Sequence, residues 1–329
     1  MGDWLQMLER PKRSVCKPTQ VRRFRKRDRD ERGVASTVGT IMALLVFLTF
    51  LTLFTNSYIP VWMLDNERNH MNTVINQFGE MKGKIDILSL NAAASNGMTD
   101  ITMYQTIDLG ADGIPVFASP TAGLLSYQPY ASSNNNTRVT FDYHLVPGGR
   151  TYSYDQIGGG MVQFYAPNRY YAQQIVTYEN GAIVIRQDDG QIVKAYPSLE
   201  LIKPSPTSWV NLTFVQVDFV GKTSNQAGTS NVGMNIDLIY LDAQTYLNGN
   251  NSGNADDKTP IILTFKTSNY QAWYSYLLQY LTTPDNNLVN NSDYVLLSDA
   301  STQTVTLTVN NVYSFAFSKA ITQISSEVA

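Results

Sequence analysis

The sequence predicts an α+β protein in which a long N-terminal transmembrane helix continues into an amphipathic stalk, followed by a mainly antiparallel, β-sandwich-like ectodomain. Three observations predict it. An uncharged apolar run follows a basic N-terminus, an apolar stripe with helical spacing follows the run, and from about Thr99 the pattern turns to alternation broken by Asn, Gly, Pro and Asp clusters.

The apolar run sets the first element. Gly33 through Leu64 is 32 residues without a charge, and Val34 to Phe54 is apolar apart from small Ser, Thr and Gly. As a helix those 21 residues span about 31 Å, enough for a bilayer core of about 30 Å. The run is too long for the apolar part of a secretory signal, and no A-x-A-like site ends it. Arg22, Arg23, Arg25, Lys26, Arg27, Arg29 and Arg32 precede the run, whereas only Asp65, Glu67 and Arg68 closely follow it. The positive-inside rule therefore puts the N-terminus in the cytoplasm and residues 65–329 outside, as a single-pass protein of the cell membrane.

Residues 1–33 hold 11 Lys/Arg against 5 Asp/Glu, a leader of +6 joined to a remainder of −9. Topology accounts for these charges, so membrane lipid is the expected partner and nucleic acid is not. The domain reading is a basic cytoplasmic leader at 1–33, a transmembrane helix at 34–59, an amphipathic helical stalk at 60–95 and a β-rich extracellular domain at 96–329.

In the stalk, Met71, Val74, Phe78, Met81, Ile85 and Leu88 recur at intervals of 3, 4, 3, 4 and 3, a stripe for helix packing. It can dock on the chain's own β domain or pair with a neighbouring subunit. Pro60 is expected to kink or break the helix between its halves.

The junction ahead of the run reads Arg29-Asp30-Glu31-Arg32-Gly33-Val34-Ala35-Ser36-Thr37-Val38-Gly39. It resembles the class III signal peptides of archaeal type IV pilin-like and archaellin-like precursors, in which a charged leader ends in Arg/Lys-Gly before the hydrophobic helix. The resemblance implies a processing site at Arg32, Gly33 and Val34, cut by a prepilin peptidase between Gly33 and Val34. It further implies homo- or hetero-oligomers formed through the N-terminal helix, handled by a pilus assembly machinery in surface filaments. The fifth mature position, a Glu in bacterial-type pilins, is Val38 here, as in many archaeal pilin-like proteins that lack that Glu. The implied function is that of a structural subunit or minor component of an extracellular filament. The alternative is a membrane-anchored adhesion or binding module that never polymerises.

Beyond the stalk the clearest unit is a meander: Ala172 to Tyr178, a turn at Asn180-Gly181, Ala182 to Gln187, a turn at Asp189-Gly190, and Gln191 to Tyr196. Its segment Tyr178-Glu179-Asn180-Gly181-Ala182-Ile183-Val184-Ile185 resembles one that recurs in archaeal pilin-like ectodomains. Further strands are expected at Trp209 to Phe219, Met234 to Asp242, Ile261 to Thr267, Tyr294 to Leu297 and Gln303 to Val309. A change of apolar phase after Phe214 suggests a bulge. Tyr270 to Leu281 reads as a helix behind an Asn269 cap, with Tyr270, Trp273, Tyr274, Leu277 and Leu281 on one face. Ser132 to Asn136, Gly221 to Gly233 and Asn248 to Asp257 read as loops, and Pro204 to Pro206 as a division.

Chemistry-bearing constellations are sparse. Cys16 is the sole cysteine and His70 and His144 the only histidines, so a disulfide framework and the usual zinc sites are excluded and neither cofactor nor metal is expected. His144 has no G-x-S-x-G companion and Gly158-Gly159-Gly160 no following Gly-Lys-Ser/Thr, so the chain reads as a non-enzyme and the glycines as a flexible turn. Asp188-Asp189 and Asp256-Asp257 read as solvated turns. Sequons at Asn135, Asn211, Asn250 and Asn290 are candidate glycosylation sites on the outer side.

Overall fold

The computed structural model describes residues 27–145, 150–247 and 260–327. Helix α1 runs unbroken over Arg27–Ala94, about 100 Å at 1.5 Å per residue. Pro60 lies inside it, so the expected break is absent. The chain divides into one unit ending at Asn56 and a second covering Ser57–Ala329. From Gly33 to Asn56 the helix is apolar on every side and solvent-exposed apart from the half-buried Leu51 and Phe54.

The second unit is strand-rich. Five strands form one sheet in the order β1 (Thr102–Asp108), β11 (Asn231–Leu247), β15 (Val312–Glu327), β9 (Val210–Val220) and β8 (Leu199–Ile202). The larger sheet runs β13 (Tyr294–Asp299), β14 (Thr304–Val309), β12 (Ile261–Lys266), β3 (Asn136–Leu145), β4 (Arg150–Ala166), β5 (Gln174–Glu179), β6 (Ala182–Gln187) and β7 (Gly190–Ala195), with β2 (Gly123–Pro129) on β4 and β10 (Ser224–Gly228) on β2. Among the described strand pairs only β9 and β15 are parallel.

Two apolar cores fill the unit. In the first, the six stripe residues of α1, all at most 1% exposed, pack with Ile107, Phe164, Val176, Phe219 and Ile236 among others. The stripe therefore docks on the chain's own strands and is not available to a neighbouring subunit. The second core gathers Phe141, Phe214, Leu263, Phe265, Trp273, Leu307 and Phe317. Strand β9 serves both: Val210, Leu212 and Phe214 face the second core, while Val217 and Phe219 face the first. Residues of opposite parity point to opposite faces. That is the source of the phase change after Phe214, and no register shift occurs there, so the expected bulge is replaced by a strand covered on both sides. No division falls at Pro204 to Pro206.

The edge strand β1 is guarded by α1. Lys84 donates to the Tyr104 carbonyl at 2.8 Å, and the Asp108 N–H donates to Gln77 at 3.0 Å. Helix side chains thus occupy backbone groups that an open sheet edge would offer to another chain.

Gly158-Gly159-Gly160 is no flexible turn. It lies within β4, where the strand leaves β3 for β2, and Gly159 and Gly160 have φ of 117° and 91°. A Cβ on Gly158 would fall on the Asp218 carboxylate and the Gln216 amide. The stretch Gly221 to Gly233 is likewise structured, holding β10 and the start of β11, whereas Asn248 to Asp257 lies outside the described residues. Helix α2 spans Tyr270–Leu281 as expected, but Asn269 makes no side-chain cap bond, and Ala272 and Tyr276 are buried rather than Tyr270 and Tyr274.

Candidate functional site

The expected processing junction, Arg32-Gly33-Val34, lies within helix. Gly33 and Val34 are exposed, Val34 at 62%, and the Thr37 hydroxyl donates to both of their carbonyls, at 3.2 and 2.9 Å. The side chain of Arg32 is outside the described residues. A peptidase that binds its substrate extended would first have to unwind this end of α1, and Gly33 lowers the cost of unwinding.

At the start of the second unit the buried line of α1 passes through Ile59, Met63, Glu67, His70 and Met71. Glu67 is fully buried among apolar neighbours on its own face, which demands partners. Its Oε1 accepts from Thr121 Oγ1 at 2.8 Å and the Arg169 N–H at 3.0 Å, and its Oε2 from the Tyr170 and Tyr171 N–H groups, both at 2.8 Å. Burial opposes the charge, yet the three backbone donors and Thr121 outweigh it and hold the carboxyl below its ordinary value. Next to it, Asn66 Nδ2 donates to the Asp112 carbonyl at 3.0 Å, and His70 Nε2 lies 2.9 Å from the Asp108 carbonyl with its ring edge-on to Phe164. His70 is thus a buried packing residue. These bonds fasten α1 to the hairpin between β1 and β2 and to the turn after β4.

A second acid, Glu179, closes β5. It is buried, accepting from Thr267 Oγ1 at 2.8 Å, from Trp273 Nε1 at 2.7 Å and from Asn135 Nδ2. Here burial prevails over the hydrogen bonds and pushes the carboxyl above its ordinary value. Asp218 behaves alike: burial raises it, against Gln216, Lys319 at 3.0 Å and the Gly159 N–H. Lys203 and Asp293 form a buried ion pair at 2.7 Å. Beside Glu179 there is room for no more than about one water. These acids join distant segments through buried polar contacts.

No protein family, curated protein or solved structure matches the chain. The remaining sequence candidates are scattered rather than gathered. Asn135 is a correction: its Nδ2, the atom a glycan would occupy, is buried against Glu179. Asn211 is half-buried in β9 and accepts from Ser314, Asn290 is exposed, and Asn250 lies outside the described residues. The His144 side chain is also outside them, its backbone pairing with Thr151. Among the described residues no group of three His, Cys, Asp or Glu could hold a metal.

The sequence reading takes Glu67 only as a charge flanking the apolar run and Glu179 only as part of the meander, and neither as a buried acid. Glu67 had a signal: it falls four residues after Met63 and four before Met71, a charge on a packing stripe. Glu179 had none beyond its place before the Asn180-Gly181 turn.

Proposed function

We propose that this protein is a type IV pilin-like surface protein, a structural subunit or minor component of an extracellular filament. In this reading a prepilin peptidase processes it between Gly33 and Val34. The observation that carries it is a helix apolar on all sides from Val34 to Phe54, beginning directly after Gly33 and almost wholly exposed. Water does not tolerate so large an apolar surface. A helix without a polar face belongs in lipid or among other such helices, and a precursor followed by a filament supplies each in turn.

The charged leader fits the first state and hinders the second, since a hydrated +6 tail resists burial in a helix bundle. Removing it at Gly33 leaves the apolar helix as the new N-terminus. Tyr58 and Trp62, exposed and 6.4 Å apart, suit the polar boundary of the bilayer on the outer side.

Recovery of the mature protein from membrane and sheared surface fractions, followed by N-terminal sequencing, tests the reading. The expected first residue is Val34, and Met1 or Gly2 would overturn it. Electron microscopy of the same sheared material decides assembly. Filaments containing the protein are expected, and a protein confined to the membrane would make it a tethered binding module.

A further inference from the structure

Beside α1 the chain runs back toward the low-numbered end of the helix. Tyr104 is bonded to Lys84, Asp108 to Gln77 and His70, and Asp112 to Asn66. The direction is then held by a narrow hairpin, with Ala111 paired to Thr121 and Ile114 paired to Ala118 through backbone bonds of 2.9 to 3.1 Å. Its tip is Pro115-Val116-Phe117. From Asn66 back to Ile59 the helix descends about 10 Å, and from Asp112 to Val116 an extended chain covers about 13 Å. Continued in that direction, the tip reaches about the level at which the uncharged run ends.

The tip is unusual in two ways. Val116 is 101% exposed and Phe117 45%, on a loop with no charge from Gly113 through Pro120. Val116 also has φ +70°, a region costly for a β-branched residue. Elsewhere among the described residues this chain puts Asn or Gln at its non-glycine positions of positive φ: Asn96, Asn180, Asn287, Asn291, Asn311 and Gln303. Only Val116 breaks that rule, and no packing within the domain compensates it. Strain held at a fully exposed apolar side chain points to a use for that side chain.

We propose that the hairpin tip is a second membrane contact, with Val116 and Phe117 entering the headgroup and upper acyl region of the bilayer that α1 crosses. The occupant is a lipid surface. Pro115 has no N–H to desolvate, and Arg169, which donates to Ser119 Oγ at 3.1 Å and the Pro120 carbonyl at 3.2 Å, places a cation at the base of the hairpin for lipid phosphates. With two points of attachment the domain is held in one orientation on the membrane. The inference rests on the reading that α1 spans a bilayer.

The test uses the full chain with Cys16→Ser, reconstituted in phosphatidylcholine and phosphatidylglycerol vesicles that carry a shallow or a deep spin-labelled lipid. Single cysteines at Val116, Phe47 and Ser301 each carry an environment-sensitive fluorophore. Expected is quenching at Phe47 by the deep label and at Val116 by the shallow one, the latter severalfold above Ser301. A Val116 signal equal to Ser301 while Phe47 is quenched would overturn the tip contact and leave the spanning helix intact. An unquenched Phe47 would remove the spanning helix and the tip contact together. Shielding of Val116 that grows with protein density but ignores the spin label would place a second copy there and overturn the lipid assignment. Val116→Asn, which suits the backbone, is expected to raise the Tm in detergent. A lower Tm would show Val116 packing within the domain and would likewise overturn the proposal.

Discussion

The two halves of α1 are equally helical, yet they answer to different surroundings. From Val34 to Phe50 the apolar residues stand on all sides and stay exposed, Val38 at 51%, Phe47 at 59% and Phe50 at 65%. From Met71 to Leu88 the six stripe residues form one line and vanish from the surface, each at most 1% exposed, while Ile87, off that line, is 49% exposed. A helix that buries one stripe needs only one partner, and the β strands supply it. A helix apolar all round needs partners on every side, and among the described residues nothing buries it from Val34 to Phe50. Hydrophobicity is common to both, and its angular spread decides whether the partner is internal or external.

The comparison breaks most visibly at one residue in each half. Phe78→Ala removes a fully buried ring from the first core and is expected to cost the domain about 3–5 kcal/mol. Phe47→Ala removes an equal ring from an exposed site and is expected to change domain stability by less than about 0.5 kcal/mol. Urea unfolding in detergent, followed by a signal from the β domain, separates them. Equal losses would mean that the two halves share one set of internal contacts.

Next in size is the acid that interrupts the buried line. Glu67→Gln replaces an acceptor of four bonds by a group with one acceptor oxygen, at a cost of about 2–3 kcal/mol. The folded carboxyl lies below its ordinary value of 4.5. Its contribution is therefore complete above that value and is lost as pH falls through the lowered one. Thermal melts between neutral and acid pH should show an acid loss in the wild type that Glu67→Gln flattens.

How legible this was depended on whether a residue's role was local. The α2 boundaries, the Asn180-Gly181 turn and the stripe from Met71 to Leu88 follow from spacing within a dozen residues, and each was readable; the second turn of the meander falls at Asp188-Asp189, one residue before the expected Asp189-Gly190, with Gly190 opening β7. Strand β15 was not: Phe315 and Phe317 face one core and Ala320 and Ile324 the other, so its alternation changes phase midway. Strand β4 was hidden by glycines that suit a turn in isolation. Only the distant Asp218 and Gln216, pressed against Gly158, explain why they stand in a strand. The candidate site divides the same way. The Gly33 junction is a local pattern, whereas Glu179 finds Asn135, Thr267 and Trp273 through contacts of 44 to 94 residues' separation.

Glu179 gives a smaller effect of opposite sign. Burial holds its carboxyl above the ordinary value, so the stabilising neutral form is complete below that value and is lost as pH rises through the raised one. Glu179→Gln keeps a neutral side chain of the same shape. It should cost about 1–2 kcal/mol in acid and less as pH rises. A penalty that instead grew with pH would show that Glu179 is folded as a carboxylate, like Glu67.

The smallest effect belongs to the exposed half. Gly33 has no neighbour within 4 Å of where its Cβ would stand, so side chains there leave the fold alone and change only the ease of unwinding. Alanine favours helix over glycine by about 1 kcal/mol and serine by roughly half as much. If cleavage requires local unwinding, Gly33→Ala slows the release of Val34 about fivefold and Gly33→Ser less, as read by processing rates with membrane fractions that contain the peptidase. Equal and complete blocks by both would instead mean that the enzyme approaches the bare glycine backbone itself. The helical state of the junction would then be irrelevant to its cutting.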